Sequence, residues 1–342
     1  MWSPTLLAYF IIASAVSASK LTYAEPGETP SFEPFGGENA SILFSPADWN
    51  RNTYPIFVHS HNDYEREVPV FDALSLGVLS IESDVWLNPK DDKLYVGHDA
   101  FSLSRERTFH ALTVEPLVQA IDQANSANAM HVQNEESELF ADLQASVAKD
   151  DAPWWNGFFS LGVGNTQPIQ LMIDIKNNPH KSWQHVLKAL DPLRERGYLT
   201  RYEYGKIIPG PILVVGTGAT PVEELAAKHK RDVFYDCELT KLSGPGPKIG
   251  GEHYPWNATL CPIASTDFSK VTNDYKGIHE PTKKMNESIS RLIHEAHERN
   301  IKTRFWDTPA WPVYARDRVN RMLLELGSDW INADDLEAIA YF

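Results

Sequence analysis

The sequence predicts an α/β fold, a (β/α)8 TIM barrel of parallel strands with an insertion after the second strand. Eight short apolar runs recur after residue 53, and amphipathic stretches separate several of them. Polar residues gather at the ends of these runs, in otherwise apolar surroundings, where a barrel places its chemistry. A doubly wound open sheet, built from the same alternation, is the competing architecture.

In chain order, Leu6–Ala18 is an uncharged apolar run closing on Val16-Ser17-Ala18, the pattern of a cleaved secretory signal over residues 1–18, or to about residue 24. It is short for a bilayer span, and an uncleaved anchor is the alternative. Residues 19–52 are rich in Pro, Gly and Ser and read as an extended lead-in. The barrel is assigned to residues 53–342. Its strands are expected at Ile56–His61, Leu79–Trp86, Ile169–Ile175, Pro211–Val215, Asp232–Asp236, Cys261–Ser265, Lys302–Trp306 and Asp329–Asn332. Helices are expected at Glu115–Ala127, Lys181–Arg196, Thr220–Lys230, Asn286–Arg299 and Val313–Leu326. In Asn286–Arg299, Ile289, Leu292, Ile293 and Ala296 recur at helical spacing. The insertion, residues 87–168, should begin with a hairpin around Leu94–His98.

The 342 residues carry 31 Lys and Arg against 46 Asp and Glu, a net charge of -15. Such a chain repels phosphate backbones at long range, so nucleic acid is not an expected partner. A small anionic substrate is compatible if a metal or local cation overrides the global field. The sequons at Asn39, Asn257 and Asn286 agree with a secreted, extracellular glycoprotein. In that compartment Cys237 and Cys261, the chain's two cysteines, are expected to pair across a Gly- and Pro-rich loop, with two buried thiols as the alternative. The chain is expected to act as a monomer.

Three segments place polar residues where a strand should be apolar: His59-Ser60-His61-Asn62-Asp63, Glu82-Ser83-Asp84 with the later Gly97-His98-Asp99, and Asp174-Ile175-Lys176. Side chains alternate along a strand, so Glu82 and Asp84 share a face, as do Asp174 and Lys176. If both faces line a barrel mouth, three carboxylates meet one ammonium. Carboxylates so close repel unless a cation sits among them. An all-oxygen donor set favours Mg²⁺, with Ca²⁺ as the alternative. Zinc would need His59, His61 or His98 as ligands instead.

The order His, Glu-x-Asp, His-Asp, Asp-x-Lys, Trp resembles the phospholipase-C-like phosphodiesterase superfamily, which includes glycerophosphodiester phosphodiesterases and the sphingomyelinase D enzymes. The similarity is greater to a fungal branch, the altered inheritance of mitochondria type proteins. It rests on His59–Tyr64, Glu82–Leu87, Tyr95–Asp99, Arg304–Pro309 and Asn332–Leu336. The resemblance implies His61 and His98 as general acid and base, and Glu82, Asp84 and Asp174 as metal ligands. It implies Lys176, Arg304 and Trp306 as substrate contacts. Two departures stand out. Glycerophosphodiesterases carry His-Arg-Gly where this chain has His61-Asn62-Asp63, and usually a Glu where it has Asp174, as the sphingomyelinase D group does. The implied substrate is a small-molecule or lipid phosphodiester, cleaved by water or by a neighbouring hydroxyl to a cyclic phosphate.

Other signals compete with this reading. A secreted glycosidase using Glu82 and Asp84 is disfavoured, because two carboxyls on one strand face cannot flank a glycosidic bond. A non-catalytic barrel that binds without cleaving is the second rival. His294-Glu295-Ala296-His297 lacks zinc-peptidase spacing, and Gly216-Thr217-Gly218 lacks the third glycine of a dinucleotide loop. Trp154-Trp155 beside Phe158-Phe159 offers peripheral contact with a membrane, against a cluster buried under a long loop.

Overall fold

Eight strands pair edge to edge in a closed ring in the computed structural model, which describes residues 53–122, 158 and 167–342. They are β1 (Ile56–Ser60), β2 (Val78–Asn88), β3 (Ile169–Ile175), β4 (Ile212–Gly218), β5 (Val233–Glu238), β6 (Ile263–Asp267), β7 (Lys302–Trp306) and β8 (Trp330–Ala333). Each lies parallel to the next. The pairing of β8 with β1, Val58 opposite Ile331 and Ser60 opposite Ala333, closes the barrel and excludes the open sheet.

Alternation along the strands sorts the side chains. His59, Ser80, Glu82, Asp84, Gln170, Met172, Asp174, Thr217, Asp236, Ser265, Arg304 and Asn332 share the inner face, a polar lining for a barrel. The intervening Leu79, Ile81, Val85, Leu171, Ile173, Val214, Phe305 and Ile331 are buried in one apolar core. Truncating fully buried Phe305 to Ala would cost roughly 3–5 kcal/mol, transfer and cavity together. The core therefore lies largely outside the ring, which leaves the mouth free for charged groups.

The helix Lys283–His297 follows the expected stripe: Ile289, Ile293 and Ala296 are buried, and Thr282 caps its start by accepting from the Met285 N–H. Two other helices are shorter than their periodicity predicts. Lys181–Arg196 is broken into Pro179–Ala189 and Asp191–Glu195, because Pro192 has no N–H for the carbonyl four residues back and its ring collides with it. Thr220–Lys230 contracts to Val222–Ala226, since Lys230–Arg231 leaves to pair with Tyr202–Glu203 in a small sheet completed by Lys206–Ile208.

The insertion opens with the expected hairpin: the end of β2 pairs antiparallel with Lys93–Val96, Val85 opposite Val96. A helix follows and includes residues 115–122; the remainder of the expected Glu115–Ala127 lies outside the described residues. Phe158 is buried. Trp154, Trp155, Phe159, Asn39, the signal segment and the lead-in lie outside the described residues. Among the described residues no helix is long and apolar enough to cross a membrane.

Cys237 on β5 and Cys261 ahead of β6 form a disulfide, their Cα atoms 5.7 Å apart. Closing a loop of 24 residues stabilises the fold by about 3.5 kcal/mol in the chain-entropy picture. Asn257 lies within that loop, where its Oδ1 accepts from the Thr259 N–H at 2.9 Å, and Asn286 is half-buried on the Lys283–His297 helix.

Candidate active site

Glu82 and Asp84 on β2 and Asp174 on β3 come together at the mouth, each offering one oxygen within 4.8 Å of the others. The register that sets Asp84 opposite Asp174 produces this meeting. Lys176, one residue past β3, bridges the two aspartates, its Nζ 2.8 Å from Asp84 Oδ2 and 2.6 Å from Asp174 Oδ2. Burial opposes the ammonium, but the two carboxylates outweigh it and raise the Lys176 pKa. The Tyr64 hydroxyl lies 2.8 Å from both Asp84 Oδ2 and Asn62 Oδ1, and its single proton best serves the charged acceptor. Burial, then the charge of Glu82, pushes the Asp84 carboxyl up to about 6. The Asp174 carboxylate is seated over Gly218, where an added Cβ would lie 1.7 Å from Oδ1.

Glu82 is oriented from beneath by a buried relay. Gln170 Nε2 donates to Ser80 Oγ at 2.8 Å, and Ser80 Oγ stands 2.7 Å from His59 Nδ1. His59 Nε2 lies 3.3 Å from Glu82 Oε2. A carboxylate can only accept, so the proton belongs on Nε2 and Nδ1 accepts from Ser80. Burial, followed by the nearby Arg304 charge, lowers the His59 pKa to about 4, so the ring is neutral at ordinary pH. Asn62, in the left-handed conformation just past β1, aims its N–H at Glu82 Oε2 at 3.0 Å. Burial opposes the Glu82 charge, yet the His59 hydrogen bond and the positive field of Arg304 hold its carboxyl well below the usual range.

His61 stands beyond the end of β1, its Nδ1 2.8 Å from Asp334 Oδ1 past the end of β8. The His61 N–H donates to Ala333 O at 3.1 Å, and Arg66 spans the same seam by donating to Asp334 O. Burial works against the imidazolium, but Asp334 and Glu82 outweigh it and raise the His61 pKa. The Asp334 carboxyl is lowered in return, chiefly by the His61 hydrogen bond.

His98 is exposed on the turn after the hairpin and has no side-chain partner among the described residues. Its neighbour Gly97 ties that turn to the site, donating to Asp84 O and accepting from Trp86 Nε1 at 2.8 Å. Trp306 is partly exposed at the end of β7, with Lys270 Nζ 5.6 Å from its ring centroid. Arg304, two residues earlier, is buried inside the barrel, donating through Nε to Asn332 Oδ1 at 3.0 Å. Glu82, Asp84, Asp174 and Lys176 thus form one cluster, His61 and Arg304 reach it electrostatically, and His98 and Trp306 stand at its rim.

The cluster fits a hard divalent cation: the donors are all carboxylate oxygens, and Asp84 Oδ1 is buried with no hydrogen-bond partner. His59 is engaged by Ser80 and Glu82, which leaves it no role as a zinc ligand. Sequence reasoning missed Asp334, the relay through Ser80 and Gln170, and Asp236. Asp334 had a signal, since closing eight strands places the end of the last beside the end of the first.

Residues 47–236 match the AIM6-like phosphodiesterase domain, a stretch holding His61, Glu82, Asp84, His98, Asp174 and Lys176. An altered inheritance of mitochondria protein 6 homolog of Arthroderma benhamiae is 36% identical over 312 residues, covering 88% of each chain. Altered inheritance of mitochondria protein 6 of Eremothecium gossypii is 28% identical, covering 83% of this chain and 69% of that one. The Saccharomyces cerevisiae S288c protein of that name is 28% identical, with 85% and 71% covered. A solved glycerophosphodiester phosphodiesterase from Parabacteroides distasonis is similar at a TM-score of 0.41 and 12% identity, over 84% of this chain and 98% of that one. On the domain match and the near full-length similarity to the Arthroderma protein, the chain belongs to the AIM6-like phosphodiesterase domain family.

Proposed function

We propose that the protein is a secreted, Mg²⁺-dependent phosphodiesterase that cleaves a phospholipid or a glycerophosphodiester. The observation that carries this reading is the three-carboxylate cluster with an unpartnered buried oxygen, set beside the His61–Asp334 pair. Glu82, Asp84 and Asp174 would hold the cation, which when bound neutralises charge on the nonbridging phosphoryl oxygens. Lys176 adds a positive charge on the same side.

With Nδ1 held by Asp334, His61 presents Nε2 to the attacker and takes its proton as the new P–O bond forms. The resulting imidazolium is stabilised by Asp334 and Glu82, the groups that raise its pKa. His98 donates a proton to the leaving alkoxide as the old P–O bond breaks, and Trp306 walls the pocket. Arg304 acts from the barrel interior through its field rather than by grasping the substrate. A lipid substrate is supported by the exposed Ile278, Trp306, Trp311 and Tyr314, which lie at or after the C-terminal ends of β6 and β7, on one side of the mouth. Secretion and glycosylation at Asn39, Asn257 and Asn286 are supported by the apolar Leu6–Ala18, the sequons and the disulfide.

The test is a panel of phospho- and glycerophosphodiesters assayed with and without EDTA, followed by Mg²⁺ or Ca²⁺ addition, with Glu82→Gln and Asp84→Asn alongside. Activity lost on chelation, restored by Mg²⁺ and absent in both variants is expected. Chelator-resistant turnover, or none on any diester with the ion present, overturns the proposal.

A further inference from the structure

The end of the barrel opposite the mouth holds a cavity that the proposed mechanism does not use. It measures about 200 Å³, and Phe57, Leu79, Gln170, Leu213, Lys302 and Trp330 line it. Each is the first or second residue of its strand, β1, β2, β3, β4, β7 and β8 in turn, so the cavity sits at the N-terminal end of the ring. Phe57 and Lys302 are exposed, which opens it to solvent. At roughly 30 Å³ for each water, the space suits about six or seven waters or one small organic molecule.

Two donors there lack acceptors. Trp330 is 5% exposed, and its indole Nε1 is buried with no hydrogen-bond partner. Phe57 packs edge to face against that indole with centroids 5.2 Å apart, but an aromatic ring is at most a weak acceptor. Lys302 Nζ stands 4.3 Å from the Phe57 centroid and 5.9 Å from the Trp330 centroid, and no carboxylate pairs with it among the described residues. Among the described residues no Asp or Glu lines the cavity, although the whole chain has a net charge of -15. Leu79, Leu213 and the Phe57 ring supply apolar wall.

These features select a class of ligand. A buried N–H left unpaired is costly, and its complement is an acceptor. A water would satisfy the indole alone. The ammonium beside it, seated on an aromatic face instead of an acid, favours an acceptor with negative charge. Inorganic phosphate would meet both donors but leave the apolar wall wet, whereas a carboxylate with a short hydrocarbon tail satisfies donors and wall together.

We infer that this end of the barrel binds a small monocarboxylate. Its oxygens accept from Trp330 Nε1 and Lys302 Nζ, and its tail lies against Leu79, Leu213 and Phe57. The inference goes beyond the phosphodiesterase reading and does not depend on it. Gln170 belongs both to the cavity and to the relay toward Glu82, so the new site lies beneath the acidic cluster and shares none of its members.

The test is isothermal titration of the full chain in EDTA with acetate, butyrate, n-butylamine and inorganic phosphate. Butyrate should bind at least about tenfold tighter than acetate, since each buried methylene is worth about fourfold. Butylammonium, of the wrong charge, and phosphate, without a tail, should bind at least about tenfold more weakly than butyrate. Lys302→Met keeps the stem and removes the charge, and should cost butyrate at least about tenfold. Trp330→Phe keeps a ring and removes the N–H, and should cost about threefold or more. Saturating butyrate should raise the Tm of the wild type and not that of Lys302→Met. Butyrate that does not bind, binds no better than acetate, or binds Lys302→Met as it binds the wild type overturns the site. Phosphate binding tighter than butyrate overturns the carboxylate class.

Discussion

Gly218 closes β4 directly under the Asp174 carboxylate, and replacing it with alanine should damage the acidic cluster without touching any member of it. Its φ of +60° already disfavours an L-residue, at a cost of about 1–2 kcal/mol. The larger effect is steric. A Cβ there would lie 1.7 Å from Asp174 Oδ1 and 2.8 Å from Asp174 Cγ, so the carboxylate must retreat by more than 1 Å to reach even 3.0 Å, the limit below which real Cβ atoms are essentially never found. Oxygen ligands of a hard cation are placed to within tenths of an ångström, so that retreat removes Asp174 from the set. Gly250 supplies the control: its φ is +59°, and nothing lies within 4 Å of its would-be Cβ. Gly250→Ala should therefore carry the backbone strain alone. Both variants should lose a few degrees of Tm in EDTA, roughly 2 °C per kcal/mol for a domain of this size. Only Gly218→Ala should weaken Mg²⁺ binding, by about tenfold or more for the loss of one carboxylate ligand, as read by isothermal titration. If Gly218→Ala binds Mg²⁺ as the wild type does, Asp174 is not a ligand.

Three further outcomes follow from the same geometry. The unfolded chain protonates His59 near pH 6.5 whereas the native state resists until about 4, so between these values the unfolded state binds more protons and wild-type stability falls with falling pH, by up to about 3 kcal/mol from this group. His59→Gln should lack that contribution, and urea titrations of both proteins at pH 7 and 4.5 in EDTA should differ in slope against pH; parallel slopes contradict a neutral buried His59. Asp334→Asn should lower kcat/KM by roughly 10²-fold and move the limb for His61 deprotonation to lower pH, because the partner that raises its pKa is gone; an unmoved limb would detach Asp334 from the base. Replacing Cys237 and Cys261 together with Ser should lower stability by about 3.5 kcal/mol with Mg²⁺ affinity unchanged, and a loss of affinity would mean that the loop supports the cluster.

The barrel was legible because its strands bury one face in a conventional apolar core. Ile169–Ile175 begins and ends on isoleucine, and Lys302–Trp306 ends on its aromatic pair, Phe305 and Trp306. The pairing of Glu82 with Asp84 on one face follows from strand alternation alone. What local pattern could not carry was anything set by strand closure or by pieces of two or three residues. Lys230–Arg231 reads as the tail of a helix until Tyr202–Glu203 is present to pair with it. Asp236 reads as the end of a strand, and only the ring of neighbours shows that its carboxylate faces inward beside Thr217. The zinc alternative for His59 stays open in the sequence because sequence shows that a histidine is present but not that Ser80 and Glu82 occupy both ring nitrogens.

The hydrogen bond between His61 and Asp334 joins residues 273 positions apart, across the seam where the ring closes. A chain emerging from a ribosome has all three clustered carboxylates by residue 174, yet His61 lacks its carboxylate partner until Asp334 is made. Closing so long a loop is entropically slow and happens only when the final strand docks. A partly synthesised chain would then hold its carboxylate cluster before its His61–Asp334 pair, and on the proposed mechanism hydrolytic competence is withheld until the circle is complete.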